Sequence, residues 1–189
     1  MKKLLALLLA VVMLLSFAAC SKDDDDDEDG GKSSKGGSVE DAVETMEDVW
    51  NGDMDRLSDM IPDSVLDMRK EQIEDFDAYW EDLKNTHKEN FESELEEFGD
   101  DAKVTITIES QEDMDDEDVE AIAESLNETY KIDTDDVKTA CTLTLEMKAE
   151  GSDGEDSFLQ DYTAVQVGNS WYIVDYYEYD GNVEVSFLV

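Results

Sequence analysis

Few residues in this chain can do chemistry, and each stands without the neighbours its chemistry needs. His87 is the only histidine, and it falls on an apolar helical stripe between Leu83 and Phe91. A general base needs a positioned, pocket-facing side chain, so His87 is a pocket candidate if that stripe borders a cavity. It is a hydrogen-bonded core residue if the stripe does not. One histidine without a partner motif gives no basis for a zinc site. Cys141 alternates with Leu143 and Leu145, the pattern of a buried apolar thiol, and it lacks the activating neighbour of a nucleophile. Asp113, Asp115, Glu117 and Glu124 match positions 1, 3, 5 and 12 of a calcium loop. Asp118 stands where that loop needs glycine, and Glu120 where it needs an apolar residue. Asp115 to Asp118 suit the acidic first turn of a helix instead, so no metal is expected.

Aromatic residues are dense near the C-terminus, at Tyr162, Trp171, Tyr172, Tyr176, Tyr177 and Tyr179. Strand alternation sends Trp171 and Tyr177 to one face, and Tyr172 and Tyr176 to the other. One set belongs to a core and the other to a ligand or partner surface. Tyr172 and Tyr176, with Trp80 on the helical stripe, join His87 as pocket candidates. Asp161 and Asp175 also lie in strand patterns, but their spacing to the tyrosines forms no signature. Nucleophile elbow, phosphate loop and dinucleotide fingerprint are all missing. No catalytic residue and no cofactor is assigned.

The elements that must carry these residues follow from periodicity. Ser38 and Asp41 form a capping-box start, and Val39, Ala42, Val43, Met46, Val49 and Trp50 repeat at helical spacing up to Gly52. A short helix is expected over 53–61, stopped by Pro62. Ile73, Phe76, Trp80, Leu83, His87, Phe91, Leu95 and Phe98 recur with a mean spacing of about 3.6, one face of a long helix closed by Gly99. Val104, Ile106 and Ile108 alternate as a strand, and a further helix is expected over 115–130. Strands then follow at 137–147, 158–167, 171–177 and 183–189, with turns at Gly151–Gly154 and Gly168–Asn169. Helices followed by an antiparallel meander make an α+β domain.

Charge narrows the partners. The chain of 189 residues has 53 acidic and 14 basic side chains, a net charge of −39. A phosphate backbone would be repelled, so nucleic acid is excluded as a partner. Residues 38–189 hold 46 acids and nine bases, 9 − 46 = −37, so the charge belongs to the domain and not to a tail. Thirty-three of those acids lie in 38–130. The sheet side is comparatively neutral and aromatic, so it is the face on which a partner is expected.

Lys2 and Lys3 precede an apolar run, Leu4 to Ala19, of 16 residues. That is short of the roughly 20 needed to span a bilayer and has the layout of a secretory signal. The run ends Phe17-Ala18-Ala19-Cys20, which resembles the lipobox of bacterial lipoproteins, although Phe17 replaces the usual Leu, Val or Ile. The resemblance implies a diacylglyceryl group on the Cys20 thiol and cleavage between Ala19 and Cys20. Two acyl chains suffice for stable anchoring. Residues 20–37 contain no apolar side chain beyond Cys20 and read as an acidic Gly/Ser tether. The expected domains are therefore a signal peptide at 1–19, a lipidated tether at 20–37 and one folded unit at 38–189.

Ser38-Val39-Glu40-Asp41-Ala42-Val43, with Trp50-Asn51-Gly52-Asp53-Met54-Asp55-Arg56-Leu57, resembles the opening helix and turn of the nuclear-transport-factor-2-like superfamily. Gly168-Asn169-Ser170-Trp171-Tyr172-Ile173-Val174-Asp175 resembles its terminal hairpin. The resemblance implies N-terminal helices packed on a curved, cone-like antiparallel sheet, with the helix at 115–130 an insertion near the cone mouth. Isomerases of this fold use an aspartate base with tyrosine and aspartic acid donors, but fold does not imply function. The leading expectation is a non-enzymatic binding module, lipid-anchored on the extracytoplasmic face of the cell membrane, that takes a small ligand or an envelope protein. A small hydrolase or isomerase using the cone pocket is the alternative, followed by a cation-responsive acidic envelope protein.

Overall fold

The computed structural model describes residues 37–179 and 182–189. The signal segment, the Ala19–Cys20 cleavage point, the lipidation at Cys20 and the tether up to residue 36 lie outside the described residues.

Helix α1 spans Val39–Trp50. Its capping box is complete: the Asp41 amide donates to Ser38 Oγ at 3.2 Å, and the Ser38 amide donates to Asp41 Oδ2 at 3.1 Å. Val39, Ala42, Val43, Met46 and Val49 are buried on one side. The chain leaves the helix through Gly52 at φ 93°, a conformation that a side chain would strain. The short helix expected at 53–61 is a 3-10 segment, Met54–Met60.

One element was missed. Helix α2 covers Asp63–Gln72, where no helix is expected, and the long helix proposed over 73–98 is shorter. Ile73 is an extended residue after α2, and α3 begins at Phe76, runs to Leu95 and ends in a 3-10 turn, Glu96–Phe98. Only Val65 of α2 is fully buried, so its apolar stripe is too thin to register. Its signals are electrostatic, with Asp63 in the first turn and Arg69 and Lys70 in the last, as the helix dipole favours. Pro62 precedes this helix as well as ending the segment before it.

Strand β1 (Lys103–Asp113) leads into helix α4 (Asp116–Tyr130). Strands β2 (Val137–Gly151), β3 (Gly154–Val167), β4 (Ser170–Tyr179) and β5 (Asn182–Phe187) follow. The five strands form one antiparallel sheet in chain order, so the class is α+β. β1 outruns the expected 104–108 because its second half, beyond an irregularity between Ile108 and Ser110, is polar and exposed. β3 likewise starts before Phe158, paired closely with β2 across the Gly151–Gly154 turn. A Cβ on Gly151 would collide with the Phe98 carbonyl, so glycine lets the end of α3 close over this hairpin.

Helices cover both edges of the sheet, and polar side chains satisfy backbone groups there. Asn51, which caps the C-terminus of α1, accepts from the Val104 amide at 2.9 Å and donates to the Val104 carbonyl at 2.8 Å, while Glu47 accepts from the Ile106 amide at 2.7 Å. At the opposite edge, Ser125 Oγ of α4 accepts from the Val185 amide at 3.1 Å. Open edges template unwanted pairing, and these contacts occupy part of each. α1 approaches both β1 and β4 closely, so the helix lies across the sheet, with its C-terminal end at the β1 edge.

Arg56 ties the 3-10 segment to α1. Its guanidinium donates to Asp59 Oδ2 at 2.9 Å, Asp48 Oδ2 at 2.8 Å and Thr45 Oγ1 at 2.7 Å, and the Thr45 hydroxyl donates onward to the Asp41 carbonyl.

Candidate functional site

Between the helices and the C-terminal strands lies a cavity of about 640 Å³. Its floor is apolar: Met46 and Val49 from α1, Leu57 and Met60 from the 3-10 segment, and Phe187 from β5. All five are buried in the core. Exposed residues, including Gln72, Glu128, Thr129, Tyr177 and Glu184, stand at its rim and connect it to solvent.

Helix α3 supplies one wall. His87, Phe91 and Glu94 are four and three residues apart, so they share a face, and all three line the cavity. His87 stacks on Phe91 with ring centroids 6.1 Å apart, and Phe91 packs on Trp50 at 5.2 Å. Burial lowers the pKa of His87 because desolvation penalises the imidazolium. Glu94 borders a second, small hollow whose lining is mostly apolar, Trp50, Phe91, Leu95, Val104, Met147, Ala149 and Phe158, with Asp156 beside them. Desolvation by burial pushes its carboxyl up to about 7, and its Oε1 is buried without a hydrogen-bond partner.

The sheet supplies the facing groups. Tyr162 of β3 and Asp175 of β4 both line the cavity, as does Tyr177. Desolvation raises Asp175 to about 6. Burial first, and then the Asp175 charge, drive the Tyr162 phenol upward, so its hydroxyl stays protonated and can donate. That hydroxyl reaches only the Met147 sulfur, at 3.9 Å. On the remaining side Arg69 of α2 donates to the Val189 carbonyl at 3.4 Å, and its Nη1 is buried with no partner. Tyr130 of α4 lies nearby, its phenol raised by burial against the opposing charge of Arg69.

Of the four pocket candidates named from the sequence, His87 lines this cavity and Trp80, Tyr172 and Tyr176 stand outside it. Trp80 stacks on Phe76 at 5.6 Å. Tyr172 is buried edge-on against Phe187 at 5.8 Å. Tyr176 lies near Asp115 and Asp118 at the start of α4. In β4 it is the alternate set, Asp175 and Tyr177, that borders the cavity.

The other candidates have structural surroundings. Cys141 is buried, and desolvation raises its thiol to about 11, far from an activated nucleophile. Asp113 ends β1, and Asp115 caps α4 by accepting from the Glu117 and Asp118 amides at 3.1 Å. The calcium-loop spacing is therefore laid across a strand end and a helix. Among the described residues no group of three or more His, Cys, Asp or Glu side chains is placed to hold a metal ion. Asp161 accepts from Thr144 Oγ1 at 2.8 Å on the exposed sheet surface. No helix among the described residues is long and apolar enough to cross a membrane.

Fold and site together define an α+β domain with a solvent-reachable cavity that mixes an apolar floor, aromatic walls and desolvated carboxyls. No known protein family, curated protein or solved structure matches the chain.

Proposed function

We propose that this chain is an extracytoplasmic lipoprotein, anchored through lipid on Cys20, whose α+β domain is a binding module that takes a small, partly apolar ligand. The cavity of about 640 Å³ carries this reading. Binding sites for small molecules fall between about 300 and 1,000 Å³ and pair a mostly apolar lining with a few orienting polar groups. The unpartnered atoms of Arg69 and Glu94 have the character of such orienting groups. The opening helix, the turn through Gly52 and the terminal hairpin support placing the domain in the nuclear-transport-factor-2-like superfamily, with the cavity as the cone interior.

A neutral apolar dye, N-phenyl-1-naphthylamine, is the direct probe. The protein is expected to bind it with one-to-one stoichiometry and enhanced dye fluorescence. Ser186→Phe, which adds a ring at a half-buried cavity-lining position of β5, is expected to weaken binding at least tenfold while thermal melting stays cooperative. Undiminished dye binding by that variant would place the dye elsewhere and defeat the reading.

Anchoring has a separate test. The Cys20→Ala variant, expressed in a bacterial host, is expected to leave the membrane fraction. If it partitions as the native chain does, the lipoprotein reading fails.

One observation favours a second reading. Asp175 and Tyr162 face the same cavity, the first as a desolvated carboxyl and the second as a phenol held protonated. A base and a donor so placed suit proton transfer to or from a bound carbonyl compound. Solvent-deuterium exchange into a ketone substrate, lost in Asp175→Asn, is its signature.

A further inference from the structure

Building on the binding-module reading, we infer that the cavity selects a protonated amine carried on an apolar or aromatic body, with the ammonium group seated against Glu94. Three observations converge on it. First, Glu94 Oε1 is buried and receives no hydrogen bond from the described residues. A carboxylate oxygen only accepts, so the group that completes it must be a donor, and an ammonium donor also balances the charge. Second, Trp50 and Phe91 border the same carboxyl. Their ring faces attract cations, with Trp the strongest such partner, and aromatic walls accept the apolar body of the ligand. Third, the lining holds four carboxyls, Glu94, Glu128, Asp175 and Glu184, against one guanidinium, Arg69. Walls of one sign and low polarity concentrate the counter-charge.

Arg69 is the argument for the opposite sign. Its guanidinium, on α2, already donates to the Val189 carbonyl and sits beside Tyr130, and its free Nη1 makes no hydrogen bond to Glu94. It can take a hydroxyl or carbonyl acceptor from the ligand without setting the charge preference. A metal ion is not the expected cation, because no cluster of ligating side chains exists among the described residues. Desolvation of Glu94 and Asp175 agrees with the proposal, since an ammonium partner offsets the cost of keeping a buried carboxylate ionised.

Calorimetry at pH 8 with three near-isosteric probes separates the possibilities: 2-phenylethylamine, 2-phenylethanol and 3-phenylpropionate. Sodium chloride at about 150 mM shortens the reach of the acidic exterior to roughly 8 Å. The amine is expected to bind at least tenfold tighter than the alcohol, and the carboxylic acid more weakly than either. Glu94→Gln is expected to reduce amine affinity at least tenfold and to abolish the preference for the amine over 2-phenylethanol. Glu109→Gln/Asp116→Asn, at two exposed acids, is expected to change amine affinity less than twofold.

Equal or tighter binding of the alcohol or the acid overturns the inference, as does equal loss in the surface variant or no loss in Glu94→Gln. Dye binding without amine selectivity leaves the binding module standing and sinks only the amine. Absence of both sinks both.

Discussion

Replacing Arg56 by Met is expected to cost about 3 kcal/mol of stability, the low end of what is lost when a buried carboxylate, here Asp59, is deprived of its cation. Asp59 is buried, and its Oδ2 accepts from Arg56 Nε at 2.9 Å; Asp48 accepts from Nη1 at 2.8 Å, and Thr45 from Nη2 at 2.7 Å. Methionine replaces the apolar stem of the side chain and removes all three bonds. Two carboxylates on facing turns then lose the cation between them. Lysine in the same place keeps a charge but not the planar fork, so Arg56→Lys should recover only part of the loss. For a domain of this size, 3 kcal/mol corresponds to a melting temperature lower by roughly 6–12 °C. Chemical denaturation of the three proteins at neutral pH measures it. A loss below about 0.5 kcal/mol in Arg56→Met would mean that the remaining surroundings of Asp59 compensate it fully. The same contact bears on function, because the 3-10 segment it fastens carries Leu57 and Met60 into the cavity floor.

The Ser38–Trp50 region was legible because its signals are local. Ser38 and Asp41 stand three apart, as a capping box requires, and the apolar positions up to Trp50 repeat at helical spacing. The strands were legible for the same reason, alternation at Val104–Ile108 and Val137–Met147 being a period of two within one segment. α2 was not, since a ten-residue helix that fully buries only Val65 owes its place to tertiary neighbours more than to its own pattern. The cavity was legible only in fragments. Its polar groups, Arg69, Glu94, Tyr162 and Asp175, come from four elements, and nothing in the chain between them encodes their meeting.

Two signals were nevertheless present. Glu94 falls three residues after Phe91 and seven after His87, an acid on the inward face of a helix whose apolar stripe runs past it through Leu95. Asp175 falls between Ile173 and Tyr177 on one face of β4, an acid in an otherwise apolar and aromatic row. Tyr172 and Tyr176, on the other face of β4, pack against the core, and packing explains them.

Glu94→Gln should make the protein more stable at alkaline pH, against the usual direction of mutation. Burial raises the Glu94 carboxyl from its ordinary value near 4.5 to about 7. A carboxyl whose folded-state pKa exceeds its unfolded one binds its proton more tightly when folded. Stability is then lost as pH rises between those two values, and the loss is complete above the folded one. Glutamine is isosteric and carries no charge to desolvate, so the variant escapes the cost. Allowing for partial solvent access, the gain at pH 8.5 is about 1–3 kcal/mol, or several degrees in melting temperature. The gain should shrink steadily as the pH falls from 7 to 5. Asp175, raised to about 6, has the same sign, and His87, lowered by burial, has the opposite one. Both are present in each protein, so the difference between native chain and variant isolates Glu94. Paired melts at pH 8.5, 7 and 5 decide the matter; a gap that does not depend on pH, or a variant less stable at pH 8.5, refutes it. A residue that destabilises its own fold while lining a cavity is a functional-site candidate. If the same substitution that stabilises the domain also abolishes its preference for an amine, the destabilisation is the cost of holding an ionised carboxylate ready for a cation.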